Sequence, residues 1–349
     1  MRATLSRRWT LLVGSLGLLG ILAGAWPTWS AEPIPIRAGW QPGTHPRTYA
    51  LLTFKLLEKA GLQPEWIKFA AGPPMLSALQ SDSLDVAVLG AVPVIFGLSQ
   101  GQDLKILAVE QDGSNAEGLV VKPGRGIDKL ADLKGKRVGV TFGSSSYMAV
   151  LQALDVQGLK PADLSLLDMG PPVLFPAFVR GDLDAAWTWD PWLAMAESEG
   201  GKLIMTNAQV PTEAGRAAGY GVWVARSDWV AKNPEATRRF IRGLDLAATE
   251  VEQSKAALAK AMAEVLGTKE AIALTLLGRT PVAKFVDQVG RSGAHYYMGT
   301  PETKAQSPYA QALRALVDFL HEQKRIPTKP DVVKALAPEW MVEYLAQKR

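Results

Sequence analysis

The 349-residue chain contains no cysteine. Disulfides, thiolate metal sites and cysteine nucleophiles are therefore excluded, as is a lipid-modified N-terminal cysteine. Histidine is almost as scarce. His45, His295 and His321 stand far apart, a poor basis for a zinc enzyme, so neither metal nor cofactor is expected. Excess positive charge is also missing from most of the chain. The formal charge is +4, yet Arg2, Arg7 and Arg8 all precede the first acid, Glu32; removing those three of 38 basic residues leaves 35 against 34 acidic ones. A nucleic-acid binder would retain a basic stripe, so no nucleic-acid partner is expected.

The longest apolar stretch, from about Leu11 to Ala25, falls short of the ~20 residues that a membrane span needs. It follows a basic segment ending at Arg8 and runs into Pro27 and the small residues Ser30 and Ala31. That is the pattern of a secretory signal peptide, expected over residues 1–31. Ala23-Gly24-Ala25 and Thr28-Trp29-Ser30 both fit a cleavage site, and Ser6-Arg7-Arg8-Trp9 has the paired arginines of a twin-arginine signal. An exported chain without an anchor or a lipidated cysteine is expected in a bacterial periplasm. The rest is ordinary globular composition, 48% hydrophobic and 21% charged, long enough for two domains with a core each.

Two stretches repeat one another. Ile36 to Trp40 reads as a strand, Gln41 to Pro46 as a loop, and Tyr49 to Lys59 as a helix stopped by Ala60-Gly61-Leu62. Arg137 to Thr141, Phe142 to Ser146 and Tyr147 to Val156 repeat that order, with a stop at Gln157-Gly158-Leu159. Downstream, the segment from Leu79 to Ala87 parallels Phe178 to Ala186, each with a Leu-Asp turn before a buried strand. Such alternation builds a parallel sheet flanked by helices. The expected architecture is α/β with two lobes: residues 32–119 and 222–349 form the first, discontinuous lobe, and residues 120–221 the second. The β-rich runs Gly118 to Lys122 and Gly221 to Arg226 are the expected crossings.

Ligands of open parallel sheets bind beyond the carboxyl ends of the strands. Four loops fall there: residues 41–46, 89–93, 141–147 and 188–192. Gly143-Ser144-Ser145-Ser146, just ahead of Tyr147, opens a helix, where free N–H groups and hydroxyls suit an anion; one serine alone would serve as an N-cap. It lacks the second glycine of a nucleophile elbow and the G-K-[ST] of a P-loop. Trp187-Thr188-Trp189-Asp190-Pro191-Trp192 suits a pocket wall, with Trp189 and Asp190 at the pocket and Trp187 in the core. Gly90 and Ala91 let backbone donors approach a ligand, and Gln41, Thr44 and His45 offer side-chain donors.

These motifs carry a resemblance. Phe69 to Leu76, Gly143 to Ser146 and Thr188 to Pro191 are similar to the periplasmic binding proteins of ABC importers for aliphatic sulfonates; Ser114 to Val121 and Gln311 to Pro327 resemble the taurine-binding members. The resemblance implies a type II periplasmic-binding-protein fold, hinged closure of two lobes, and a sulfonate held by loop amides and hydroxyls. It places the loops around Gln41, Gly90, Ala91, Ser144, Ser145, Ser146, Trp189 and Asp190 at that ligand, and Thr44 and Tyr147, in the same loops, complete the expected site. Its implied partners are a small organosulfonate and an inner-membrane permease, with the chain acting as a monomer. Where taurine binders carry an acid just before the second crossing, this chain has Gly221, and Asp190 is the alternative source of charge. The competing expectations are another small ligand, nitrate or a thiamin-pyrimidine precursor, or an enzyme of the thiamin-pyrimidine-synthase type. Those enzymes rely on cysteine, which is absent here.

Overall fold

Arg37 and Asp85 show how the first half is assembled. In the computed structural model, which describes residues 32–210, 219–290 and 297–348, strand β1 (Ile34–Trp40) lies between β2 (Leu62–Lys68) and β3 (Val86–Gly90), parallel to both. Asp85, in the Leu-Asp turn before β3, accepts hydrogen bonds from the Arg37 backbone N–H at 2.7 Å and from its guanidinium at 2.6 Å. Val86 to Leu89 are all fully buried, the continuous apolar run of a strand covered on both faces. The expected leader and His295 lie outside the described residues.

The second half repeats this. Strand β6 (Arg137–Val140) runs parallel to β7 (Ser165–Asp168) and β8 (Ala185–Trp189). Asp184 accepts from the Arg137 N–H at 2.9 Å and from its guanidinium at 3.1 Å, bonds that hold its carboxyl below the usual carboxylate range. The duplication expected from the matching turns is thus present in three dimensions, down to the Arg–Asp pair.

Each sheet has five strands. With β4 (Leu104–Asp112), β5 (Glu117–Val121), β9 (Lys202–Thr206) and β10 (Tyr220–Arg226), the orders are β2-β1-β3-β10-β4 and β7-β6-β8-β5-β9. In both, the outer two strands have arrived from the other half of the chain or lead back to it, and the junction is antiparallel. The chain leaves the first sheet between Asp112 and Glu117 and returns between Thr206 and Tyr220. The runs expected to be crossings are instead strands within a sheet. Glu117, Gly118 and Leu119 pair with Trp189, Thr188 and Trp187 in the second sheet, while Tyr220 and Gly221 pair with Asp112 and Gln111 in the first.

Helices cover both sheets. Those nearest the site are α1 (Pro46–Phe54), α2 (Leu56–Lys59), α3 (Gly72–Gln80), α4 (Ala91–Ser99), α5 (Ser145–Val156), α6 (Pro171–Arg180) and α7 (Trp192–Ser198). The single helix expected over Tyr49 to Lys59 is broken at Lys55, which adopts the left-handed conformation (φ 51°) and turns both Leu56 and Leu57 into the core. No glycine or proline signals that break. After β10 come α8 (Ser227–Lys232), α9 (Pro234–Gln253), α10 (Lys255–Leu266), α11 (Glu270–Arg279), α12 (Phe285–Val289), α13 (Pro308–Glu322), α14 (Val332–Ala335) and α15 (Glu339–Lys348). Among the described residues no helix is long and apolar enough to cross a membrane.

Candidate functional site

The strand ends of the two sheets wall one small pocket of about 20 Å³. From the first sheet come Gln41, Thr44 and His45 after β1, Gly72 at the start of α3, Gly90 and Pro93 where β3 becomes α4, Gln111 at the end of β4, and Tyr220 and Gly221 opening β10. The second sheet contributes Glu117 at the start of β5, Ser144 and Ser145 at the start of α5, and Trp189 at the end of β8. Four helices therefore begin at this pocket: His45, Gly72, Gly90 and Ser144 are the cap or first residue of α1, α3, α4 and α5. Helix starts present unpaired N–H groups and the positive end of the dipole. No lysine or arginine is among the described lining residues, so among them the positive potential comes from these helix starts, through the N–H groups other than at Pro46, Pro73, Pro74 and Pro93.

Local contacts hold the loops in place. Tyr49 on α1 accepts from the Gly43 N–H at 3.1 Å, and the Trp189 indole N–H donates to the Pro42 carbonyl at 3.3 Å, tying the second sheet to the first loop. Ser144 caps α5 by accepting from the Tyr147 N–H at 3.2 Å, while its own hydroxyl donates to the Thr141 carbonyl at 2.6 Å. Its hydroxyl is thus engaged on both sides. Ser145 faces Gly90 across the pocket, its Oγ 3.8 Å from where a Cβ on that glycine would stand.

The four loops meet, but their residues do not all face inward. Gln41, Thr44, Gly90, Ser144, Ser145 and Trp189 line the pocket. Ala91, Ser146, Tyr147 and Asp190 are not among its lining residues. Ala91 is wholly buried as the first residue of α4. The Ser146 hydroxyl is turned to Glu117. Tyr147 stacks on Phe142 at 4.4 Å and lies under the Arg325 guanidinium. Asp190 accepts from the Ala194 N–H at 2.9 Å and sits 3.5 Å from Arg279, which also pairs with Glu197 at 2.8 Å. Burial, opposed by Arg279, pushes the Asp190 carboxyl up to about 7. Trp187 is a core residue whose indole donates to Asn207 at 2.7 Å.

The pocket's own acid is Glu117. Its carboxylate accepts from the Ser146 hydroxyl at 3.2 Å and from the Asn207 amide at 3.0 Å. Burial pushes it up to about 7; hydrogen bonds from Ser145, Ser146 and Asn207 pull the other way. Gln111 is the second residue that the motifs did not point to. Its amide nitrogen donates to Thr44 Oγ1 at 3.0 Å, and its oxygen lies 3.4 Å from His45 Nδ1. His45 Nε2 and Gln41 Oε1 are buried and have no hydrogen-bond partner among the described residues. Burial also lowers the His45 pKa to about 4, so the ring is neutral. Gly221 is explained by the same glutamine. A Cβ there would fall 2.5 Å from the Gln111 amide oxygen, so the space beside Gly221 is filled by that amide.

Two parallel-rich sheets joined by two crossings, with one pocket walled by both, make a type II periplasmic-binding-protein fold. The profile of the NMT1-like family matches residues 32–267, and the chain belongs to that family. It is 27% identical over 310 residues to the taurine-binding periplasmic protein of Escherichia coli (strain K12), covering 88% of this chain and 92% of that protein. Among solved structures it is similar to the alkanesulfonate-binding protein SsuA from Xanthomonas axonopodis pv. citri bound to MOPS. The TM-score is 0.73 at 25% identity, over 88% of this chain and 99% of that one. The desulfurization enzyme DSZB shares the fold, with a TM-score of 0.61 at 18% identity over 90% of this chain and 100% of that one. Fold alone therefore does not separate binding from catalysis.

Proposed function

We propose that the chain is the periplasmic solute-binding component of an ABC importer, and that the pocket holds the anionic group of a small organosulfonate. The convergence of four helix starts on a pocket with no lysine or arginine among its described lining residues carries this reading. A sulfonate is a weakly basic anion with three acceptor oxygens, suited to several neutral donors rather than one cation. The names of the taurine-binding and alkanesulfonate-binding relatives agree with it.

In this reading Gln41, Thr44, Gly90, Ser144, Ser145 and Trp189 surround the head group, while Ala91, Ser146, Tyr147 and Asp190 shape the wall behind it. The protein is a monomer of two lobes, one built on each sheet. Ligand contacts to both lobes exist only when they are closed, so binding shifts the population toward the closed form that a permease reads. No bond is made or broken. Glu117 and the neutral His45, both at the pocket, serve recognition.

The test is a thermal-shift and calorimetric panel on the exported protein: methanesulfonate, butanesulfonate, taurine, sulfate, nitrate and a hydroxymethylpyrimidine. Sulfonates are expected to raise Tm and bind with a stoichiometry of one. A response confined to nitrate or the pyrimidine overturns the assignment.

A further inference from the structure

Helix α5 carries the serine loop at one end and a buried amide further along. Ser145, Met148 and Gln152 stand at positions i, i+3 and i+7, one stripe of a 3.6-residue helix. That stripe faces the first sheet. The Ser145 hydroxyl lies across the pocket from Gly90, and Met148 is packed in the first sheet's core, whereas Tyr147, Ala149, Val150 and Leu151 belong to the second sheet's core. Around the helix Gln152 falls between Ser145 and Met148, and along its axis it stands about 10 Å from Ser145. It is therefore turned toward the first half, where α4 packs against α5. The halves are in contact in this structure: Trp189 reaches the Pro42 carbonyl, and Arg279 reaches Glu197.

Gln152 is 1% exposed, and neither its amide nitrogen nor its amide oxygen has a hydrogen-bond partner among the described residues. The facing helix explains why. α4 is apolar but for Ser99, whose hydroxyl donates to the Phe96 carbonyl at 2.8 Å. Phe319 of α13, packed against both cores, adds further apolar surface. An amide buried without a partner is costly, and the cost disappears once water reaches it. Separating the halves along this seam would return Gln152 to water.

We infer that Gln152 is a counterweight to closure. It raises the free energy of the closed form relative to the open one, so it sets how tightly the pocket holds its ligand and how fast it lets go. It touches no ligand. A cost on closing lowers the apparent affinity of any ligand that needs the closed form, whatever its head group. The inference rests on the hinged closure of two lobes proposed above and not on the identity of the anion.

The experiment compares the wild type with Gln152→Leu and Gln152→Met, two apolar side chains of similar size. Calorimetry and stopped-flow dissociation with methanesulfonate are combined with small-angle scattering, with and without ligand, and with Tm. Both variants should bind methanesulfonate roughly five- to a hundredfold more tightly, mainly through slower dissociation, and should be more compact than the wild type before ligand is added. A raised Tm with affinity and compaction unchanged would make Gln152 an ordinary buried amide of one lobe and overturn the inference. A fall in affinity in both variants would mean that the amide has a partner in the closed form, and overturns it as well. Compaction of the ligand-free variants without any methanesulfonate binding would support the counterweight while removing the sulfonate reading. If methanesulfonate binds but compacts none of the three proteins, hinged closure falls and the counterweight with it.

Discussion

The Ser146 hydroxyl donates to the Glu117 carboxylate at 3.2 Å, and Asn207 donates to the same oxygen at 3.0 Å. The pocket's acid is therefore held in one orientation by the second sheet, with burial pushing it up to about 7. A plain alkanesulfonate brings a second negative charge beside it and favours the protonated form. Its affinity is then greatest below pH ~7 and falls as pH rises, with a proton taken up on binding. Titrations in buffers of different ionisation enthalpy measure that proton directly. Glu117→Gln should flatten the pH dependence, and a wild type that binds equally well on both sides of neutrality would refute this role. For taurine, whose ammonium gains from an ionised Glu117, the sign reverses and affinity rises with pH.

The serine loop should divide by function. Ser145→Ala removes a hydroxyl from the pocket wall and is expected to lower sulfonate affinity about ten- to a hundredfold, the weight of one hydrogen bond to a charged group, with Tm unchanged. Ser146→Ala, outside the pocket lining, removes only a donor to ionised Glu117, a loss that Ser145→Ala shares. Its expected signature is an upward shift in the pH midpoint of binding, measured by the same titrations. Equal effects of the two variants at every pH would contradict the division.

At Gly221 an added side chain meets Gln111. Gly221→Ala displaces that amide from Thr44 and His45 without adding charge; Gly221→Asp displaces it and adds a carboxylate. Methanesulfonate binding is expected to weaken in both and by roughly a further tenfold in the aspartate variant. Taurine should lose less in the aspartate variant than methanesulfonate does. Calorimetry on the two variants with the two ligands gives the comparison, and identical losses for both ligands would remove Gly221 from ligand selection.

Arg279 compensates a buried acid. Asp190 has its folded-state pKa raised to about 7, mainly by burial, with Arg279 the opposing influence. A raised carboxyl pKa means that the folded state holds a proton that the unfolded state has lost, so this group costs stability as pH rises from ~4 to ~7. Arg279→Ala removes the compensation and moves the pKa higher still. Urea unfolding should show a loss of roughly 1–3 kcal/mol at neutral pH, and stability that keeps falling above pH ~7 where the wild type has levelled off. A constant difference between variant and wild type from acid to alkaline pH would assign Arg279 a packing role only.

The architecture was legible because it is written locally and written twice. Strand, loop, helix and Leu-Asp turn recur in both halves, and each signal needs only its own neighbours in sequence. The four pocket loops followed from the same logic, since turn residues after a buried strand mark its carboxyl end. What escaped depends on distant partners. Glu117 and Gln111 sit on β5 and β4, runs that look only β-rich; that both line the pocket is decided by how the chain changes sheets between them. Asp190 looked like a pocket residue until Arg279, 89 positions later, and the α7 backbone claimed it. The break at Lys55 carries no turn residue and is set by the core that receives Leu56 and Leu57.

The paired clamps Arg37–Asp85 and Arg137–Asp184 lie at the opposite strand ends from the pocket. A rise of about 3.3 Å per residue puts the two ends of these strands roughly 13–20 Å apart, beyond the range over which mutational effects usually couple. Anchoring and recognition therefore occupy separate rims of each sheet. Loops can be grafted onto the recognition rim from one relative to another while the anchoring rim keeps each half assembled, which makes this scaffold a ready chassis for sensors of chosen anions.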